Sequence, residues 1–217
     1  MNLEHDLALF DLDGTLSDPL VGISRSINYA LAHFGHEQID MAACSAHIGP
    51  PLDVTFRLLT GSTAAPHIDG LIAKYRERYG EIGYAENTLY SGIPEALKSL
   101  SEAGMPLALC TSKRKDFADR ILQMFDLRGF FEFVDGGEVG VAKWQQIESL
   151  VKRHAVSQSA VMVGDRSVDL VAAHRNGLRA AGVLWGHGSR EELLSEQPEY
   201  LFQSPSEIAS LSSSASI

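Results

Sequence analysis

The sequence predicts an α/β fold in which a helical domain is inserted into a doubly wound parallel sheet. From about residue 86 onward, short apolar runs alternate with amphipathic segments, the pattern of βαβ units covered on both faces. One earlier apolar run, Leu7–Phe10, precedes a long stretch that is helical in periodicity and has no strand candidate. We therefore expect a core domain of residues 1–16 and 86–217 and an inserted helical domain of residues 17–85.

The inserted domain begins soon after the strand candidate Leu7–Phe10, at the turn residues Ser17-Asp18-Pro19. Four helical segments are predicted from apolar residues at three- and four-residue spacing and from the Gly and Pro residues that end each run. They are Leu20–Phe34, Met41–His47, Asp53–Leu59 and Pro66–Tyr79. Since no strand candidate separates them, they should form one small helical domain.

The rest of the chain returns to alternating strands and helices. The predicted strands are Pro106–Cys110, Phe130–Val134, Ala160–Val163 and Ala180–Leu184, the last being the final strand candidate. The predicted helices are Pro94–Gly104, Lys115–Met124, Lys143–His154 and Val168–Arg175. We predict a loop at Asp135–Glu138 and a frayed, serine-rich end from about Ser210. Because such strands run parallel, their carboxyl ends should meet at one edge of the sheet.

The composition narrows the choice of partners and compartment. The chain of 217 residues has 28 acidic and 18 basic residues, a formal net charge of -10. Nucleic-acid interfaces draw on clustered Lys and Arg, so we expect no nucleic-acid polymer as partner. No basic start or long apolar run suggests a secretory signal or a membrane anchor, which predicts a cytoplasmic protein. The two cysteines, Cys44 and Cys110, are then expected to be free thiols.

The segment after the first strand, Phe10–Leu16, carries two aspartates in an Asp-x-Asp step. Because strand side chains alternate, Asp11 and Asp13 should point the same way. Two like charges held close together imply a raised pKa or a bound cation. A carboxylate can attack phosphorus to form an aspartyl phosphate, while a neighbouring carboxyl protonates the leaving oxygen. The pair therefore predicts phosphoryl-transfer chemistry, although Asp and Gly are also ordinary turn residues.

Further polar residues should converge on the same edge of the sheet. They are Thr111 and Ser112 after one strand, Asp165 and Asp169 after another, and Lys143 at a helix start. Three carboxylates would form an oxygen site of the kind that Mg²⁺ accepts, with positions left for water and a phosphate oxygen. The Thr111 hydroxyl, the N–H groups of a helix start and the Lys143 ammonium could hold a phosphate.

Each of these residues also has an ordinary structural interpretation. Thr111 could be only a helix cap, and Asp169 only a helix-start charge stabilised by the dipole. Lys113 or Lys115 could take the role assigned to Lys143. The eight histidines show no spacing typical of metal ligands, so we expect surface or packing roles for them.

The motifs resemble those of the haloacid dehalogenase superfamily over nearly the whole chain. Motif one is Asp11–Leu16, motif two resembles Leu109–Ser112, motif three would be Lys143, and motif four is Val163–Asp169. The resemblance implies a Rossmann-like core and makes the helical insert, residues 17–85, the family's small cap. The chain departs from the pattern at Trp144, where many relatives have proline, and at Ser112, where asparagine is common.

The resemblance also implies a role for each candidate residue. Asp11 would be the nucleophile, and Asp13 the general acid and then the base that activates water. Mg²⁺ would be held by Asp11, the main-chain oxygen of Asp13, and Asp165, with Asp169 supporting the site. The residues that would hold the phosphate are Thr111, Ser112 and Lys143.

The second acidic residue of motif one selects a chemistry within the superfamily. Relatives that cleave carbon–halogen bonds or phosphonates lack it, so Asp13 favours hydrolysis of phosphate esters and leaves hexose-phosphate mutases possible. The segments Leu16–Ile23 and Ile48–Leu52 are similar to the branch that includes bacterial 5′-nucleotidases, with phosphoglycolate phosphatases as close neighbours. The expected partner is thus a small phosphorylated metabolite, first a nucleoside 5′-monophosphate. Both a monomer and a small homo-oligomer stay open.

Two further points concern specificity and the rival interpretation. The predicted cap offers aromatic residues for a base, Tyr29, Phe56, Tyr75 and Tyr79, and basic residues for a carboxylate, Arg25, Arg57, Lys74 and Arg76, most of them expected to be packing or surface. The rival is a phospho-accepting receiver module, which also has a doubly wound sheet and an acidic metal pocket. Its phosphorylated Asp and its acidic pair lie on different strands and no helical insert follows its first strand, so the order of motifs disfavours it.

Overall fold

The structure, a computed structural model, describes residues 5–138 and 140–212. The chain forms two compact units, one of Met1–Ser17 and Leu89–Ile217 and the other of Asp18–Thr88. Strand β1 (Ala8–Phe10) belongs to the first unit, and the chain leaves this unit in the short strand β2 (Ser17–Asp18). None of the described helices has the length and apolar character needed to cross a membrane.

The unit Asp18–Thr88 is helical, as its periodicity predicts. Its α-helices are α1 (Leu20–His33), α2 (Met41–Cys44), α3 (Leu52–Thr60) and α4 (Ala65–Glu81). Helices α1 and α4 pack against each other, and Gly70 of α4 lies beside Phe34, the residue after α1, whose Cζ would be 2.7 Å from a Cβ on Gly70. The rings of Tyr75 and Tyr79 stack at 5.4 Å and are buried, so they pack the interior of this unit.

The chain returns to the first unit through β3 (Thr88–Leu89), which pairs with β2. The elements that follow are α5 (Ile93–Glu102), β4 (Leu107–Thr111), α6 (Lys115–Met124), β5 (Val134–Gly136), α7 (Lys143–Lys152), β6 (Val161–Gly164), α8 (Ser167–Arg175), β7 (Arg179–Val183), α9 (Arg190–Ser195) and β8 (Tyr200–Phe202). The six-stranded sheet has the order β5-β4-β1-β6-β7-β8, and its strands run parallel. The predicted doubly wound parallel sheet is confirmed.

The register of the central strands sets the position of the polar residues. Phe10, the last residue of β1, lies opposite Leu109 of β4 and Val163 of β6. The N–H of Asp11 then donates to the carbonyl oxygen of Val163 at 2.9 Å. The residues that follow β1, β4 and β6 therefore meet at one edge, where the chain order in the sheet reverses direction.

One buried cluster shows how the sheet is held beneath this edge. Leu9 and Met162 from the sheet pack with Ile147 of α7 and Leu170 of α8, and all four are fully buried. Burying such side chains stabilises the fold by roughly 1.5–3 kcal/mol each, which fixes α7 and α8 against the sheet. The polar residues at the starts of both helices are thereby placed as well.

Several predicted boundaries are wrong. The aromatic run Phe130–Val134, predicted as a strand, instead begins at the end of the 3₁₀-helix Arg128–Phe130 and ends at the first residue of the strand, which is Val134–Gly136. The run is apolar because it packs into the core, where Phe131 meets Phe10 edge to face at 6.3 Å. Asp135 and Gly136, predicted in a loop, are therefore in β5.

The strands β2, β3 and β8 and the helix α9 were not predicted. They are only two to six residues long, so too few positions are available to show a period. The serine-rich end is a 3₁₀-helix at Pro205–Ser212, and the remainder of that prediction lies outside the described residues.

Candidate active site

The loop after β1 places Asp11 and Asp13 at the carboxyl edge of the sheet. The backbone turns tightly here, since Leu16 and Ser17 both donate their N–H groups to the carbonyl oxygen of Leu12, at 2.9 and 3.1 Å. Gly14 has φ +82°, a conformation that favours glycine, and a Cβ at this position would lie 2.1 Å from Asp165 Oδ2.

Three buried carboxylates gather at this edge. Asp11, Asp165 and Asp169 each offer an oxygen, and these oxygens lie within 4.8 Å of one another. Asp169, in the first turn of α8, accepts from the N–H of Arg166 at 3.1 Å. The register of β1 and β6 thus brings together carboxylates that are some 150 residues apart in the sequence, as the motif pattern predicts.

Lys143, at the start of α7, lies between two of these carboxylates. Its ammonium is 2.9 Å from Asp11 Oδ1 and 2.5 Å from Asp169 Oδ1, and the residue is only 3% exposed. Burial lowers the pKa of Lys143, but Asp11 and Asp169 outweigh this effect, so its pKa is raised above the ordinary value. The lysine therefore carries a fixed positive charge between the two side chains.

Asp165 is held in a cradle of main-chain atoms and glycines. Its carboxylate accepts from the N–H of His187 at 2.8 Å and from the Thr15 hydroxyl at 3.3 Å. A Cβ on Gly186 would lie 2.4 Å from Asp165 Cβ, and one on Gly188 would lie 1.9 Å from its carbonyl oxygen. Larger residues would not fit around this carboxylate.

Burial has a large effect on the two carboxylates that follow β6. It raises the pKa of Asp165 to about 7, with smaller contributions from the neighbouring charges of Asp169 and Asp11. It also raises the pKa of Asp169 to about 6, against the opposing effect of Lys143. One lysine does not compensate three buried carboxylates, so the site favours a proton or a cation.

Asp13 is close enough to this cluster to be affected by the charges of Asp11 and Lys143, but its side chain contacts a different lysine. Its Oδ2 is 2.8 Å from Nζ of Lys113. Burial raises the pKa of Asp13, and the charge of Lys113 opposes the shift. The structure thus gives Asp11 and Asp13 different surroundings, one beside Lys143 and the other beside Lys113.

The end of β4 supplies the predicted phosphate-binding residues. Thr111 is buried, and its hydroxyl accepts from the N–H of Lys113 at 3.2 Å, while Ser112 is exposed. Buried Gln146, one turn after Lys143 on α7, donates to the Thr111 carbonyl oxygen at 3.3 Å. The loop after β4 is therefore tied both to itself and to the helix that carries Lys143.

A family model described as haloacid dehalogenase-like hydrolase matches residues 8–183. The chain belongs to this family. The 5′-nucleotidase of Pseudomonas aeruginosa is similar to this haloacid dehalogenase-like hydrolase, with 37% identity over 204 residues that cover 91% of each chain. A phosphoglycolate phosphatase of Vibrio parahaemolyticus is 29% identical over 213 residues, covering 93% of each.

A third relative of this haloacid dehalogenase-like hydrolase carries a different name. The tyrosine-protein kinase PtkA of Mycobacterium tuberculosis is 36% identical over 188 residues, which are 84% of this chain and 63% of PtkA. A solved structure of PtkA superposes with a TM-score of 0.81 at 30% identity, covering 97% of this chain and 99% of that one. Relatives with this fold therefore carry both hydrolase and kinase names.

The donor set fits the magnesium ion that the family implies. The ligand atoms available are carboxylate oxygens, which Mg²⁺ prefers, and burial disfavours their charged forms unless a cation is bound. Asp11 and Asp165 would hold the ion, with Asp169 beside them. The metal ligand predicted at Asp13 is its main-chain oxygen. The contact of its side chain with Lys113 is compatible with that prediction.

Two features of this haloacid dehalogenase-like hydrolase were not predicted from its sequence. Lys113, predicted only as a substitute for Lys143, contacts Asp13 directly. The loop after β7 also has a structural role, because Trp185 donates its indole N–H to the Thr15 carbonyl oxygen at 2.9 Å. The two glycines on either side of His187 were the available signal, since paired glycines often mark a close backbone approach.

Most residues predicted to set substrate specificity are buried in the helical unit or contact other residues of that unit. Phe56, Tyr75 and Tyr79 are buried there, while Tyr29 is 41% exposed and donates its hydroxyl to Glu77 at 2.7 Å. Among the basic residues, Arg25 pairs with Glu86 and Lys74 with Glu77, at 2.6 and 2.8 Å, and Arg57 donates to the Thr63 carbonyl oxygen at 3.1 Å.

Proposed function

We propose that the protein is a Mg²⁺-dependent phosphomonoesterase that works through an aspartyl-phosphate intermediate. The observation that carries this proposal is that Asp11 and Asp13, two carboxylates of one loop, have different surroundings. The Asp11 carboxylate is held by the Lys143 ammonium, while the nearby Asp13 has a raised pKa and can carry a proton. A nucleophile and an acid side by side are what phosphate-ester cleavage through a covalent intermediate requires.

In this mechanism an Asp11 oxygen attacks phosphorus while Asp13 gives its proton to the leaving oxygen. Asp13 then takes a proton from water, which attacks the acyl phosphate and releases phosphate. When bound, Mg²⁺ would supply charge neutralisation between Asp11 and the phosphate. Thr111 and Ser112 would hold the phosphate from the end of β4, and Lys143 would orient Asp11 and stabilise the added negative charge.

The substrate class that we propose is the nucleoside 5′-monophosphates. Support comes from the 5′-nucleotidase of Pseudomonas aeruginosa, which matches this chain over 91% of both lengths. Phosphoglycolate is the second candidate, because a phosphoglycolate phosphatase matches over 93% of both lengths at lower identity.

Cys44 and Cys110 are free and buried, which supports a reducing, cytoplasmic setting.

The test measures, with Mg²⁺, phosphate release from nucleoside 5′-monophosphates, phosphoglycolate and hexose phosphates, and phosphoryl transfer from ATP to a tyrosine peptide. We expect the highest kcat/KM with a nucleotide monophosphate, whereas phosphoglycolate as the best substrate would support the second candidate. Asp11→Asn should reduce turnover to below about 1% while the circular dichroism spectrum stays unchanged, because covalent catalysis supplies much of the rate. Wild-type turnover of none of these compounds, or an active Asp11→Asn variant, would overturn the proposal.

A further inference from the structure

Lys113 makes a partly buried ion pair with Asp13. The ammonium lies 2.8 Å from Asp13 Oδ2, and the two side chains are only 7% and 15% exposed. At this degree of burial the contact is little screened by solvent, so it constrains the position of the carboxyl.

The main chain from which Lys113 extends is held on both sides. Its N–H donates to the Thr111 hydroxyl at 3.2 Å, and its carbonyl oxygen accepts from the N–H of Gly137 at 2.8 Å. A Cβ on Gly137 would lie 2.2 Å from the carbonyl oxygen of Ser112, so the backbone just after β5 packs directly against this loop. The backbone that carries the Lys113 side chain is therefore held in place.

The two oxygens of Asp13 are in different situations. Oδ2 contacts Lys113, whereas Oδ1 is buried and has no hydrogen-bond partner among residues 5–138 and 140–212. A buried polar atom without a partner is costly, and native proteins keep few of them. Oδ1 is thus the oxygen left to meet a group from outside the chain.

We propose that Lys113 is a positioning residue that holds Asp13 by Oδ2 and leaves Oδ1 to serve the leaving group. This inference rests on the proposed function, because it assigns a direction to the same proton transfer. As the bond from Asp11 to phosphorus forms and the ester P–O bond breaks, the proton passes from Asp13 Oδ1 to the departing oxygen. Lys113 itself exchanges no proton with the substrate.

The experiment compares two esters whose leaving groups differ in their need for a proton. The esters are the best alkyl phosphate from the substrate panel, which needs one, and 4-nitrophenyl phosphate, whose phenolate leaves readily without one. The value compared is kcat/KM, which contains only the steps up to departure of the leaving group. The proteins are the wild type, Lys113→Met, Lys113→Arg, Asp13→Asn and the double variant, with exposed Lys98→Met as the control.

We expect Lys113→Met to lower the alkyl-to-nitrophenyl ratio of kcat/KM by about 10- to 100-fold, within the range supplied by general acid catalysis. Lys113→Arg should stay within about threefold of the wild-type ratio, because it keeps the charge, and Lys98→Met should not change it. The double variant should match Asp13→Asn, since residues that act as a unit are not additive.

The contrary results are equally distinct. An equal loss of kcat/KM on both esters in Lys113→Met would indicate a structural role for Lys113. An unchanged alkyl-to-nitrophenyl ratio in Lys113→Met would exclude a role in proton transfer. If Lys113→Met does not fold, the ratio in Lys113→Arg decides, and a fall of 10-fold or more there would contradict positioning by charge. Failure of the proposed function would instead appear as a wild type without turnover of either ester.

Discussion

At the scale of single residues, Asp165 shows how the site balances stability against function. Burial and the neighbouring carboxylates raise its pKa from 3.8 to about 7. Between these pH values the folded protein keeps a proton that the unfolded chain releases, so the free energy of unfolding falls as pH rises. The contribution is fully present below about pH 4 and is lost as pH rises through about 7. Carboxylates whose pKa is raised by burial are typical of functional sites.

This reasoning predicts the behaviour of Asp165→Asn in a chelating buffer. Asn cannot ionise, and its amide oxygen can still accept from the N–H of His187, while its amide nitrogen can donate to the Thr15 hydroxyl oxygen. At pH 8 the variant should therefore be more stable than the wild type, by about 1 kcal/mol or more, which corresponds to roughly 2–4 °C in Tm. At pH 5, where the wild-type carboxyl is mostly protonated, the difference should shrink. Thermal melts at both pH values test this, and a variant less stable than the wild type at pH 8 would contradict it.

At the scale of elements, the loop after β7 packs closely against the loop after β1 and against Asp165. A Cβ on Gly186 would lie 2.3 Å from the Gly14 carbonyl oxygen and 2.4 Å from Asp165 Cβ. Neither neighbour is the end of a flexible side chain, so the backbone would have to shift. The position of Asp165 therefore depends on a residue without a side chain.

Gly186→Ala should lower kcat/KM by about 10- to 100-fold, since small displacements of reacting groups are costly in rate. Overpacking should also reduce the free energy of unfolding by about 1–3 kcal/mol. The matched control is Gly129→Ala, because no atom lies within 4 Å of a Cβ there, and it should change stability by less than about 1 kcal/mol. Steady-state kinetics and urea unfolding measure both effects, and equal behaviour of the two variants would refute the crowding argument.

Elements also show what a sequence can and cannot predict. The buried strands β1, β4 and β6 and the helices between them follow from apolar runs and periodicity, and the parallel topology then brings Asp11 and Asp165 together. The aromatic run at 130–134 misleads because core packing and strand pairing both select apolar residues. The contact of Lys113 with Asp13 joins two loops, and no local pattern encodes which of several nearby lysines reaches a given carboxylate.

At the scale of the whole molecule, the charge and the topology act together. The chain has a formal net charge of -10, and the sheet gathers three carboxylates where its order reverses. A cation can therefore stabilise the protein in two ways, by screening charge over the surface or by binding at this edge. Only the second depends on the arrangement of β1 and β6.

Metal removal and addition separate these two effects. With Mg²⁺ at about 100 times its Kd, binding to the folded state should add about 2.7 kcal/mol to the free energy of unfolding. For a chain of this length that corresponds to a rise in Tm of roughly 5–10 °C, reversed by a chelator together with loss of turnover. NaCl at the same ionic strength supplies only screening and should raise Tm by less than about 2 °C. Asp165→Asn should respond to MgCl₂ no more than to NaCl, whereas equal responses to the two salts in the wild type would show that the carboxylate cluster binds no metal.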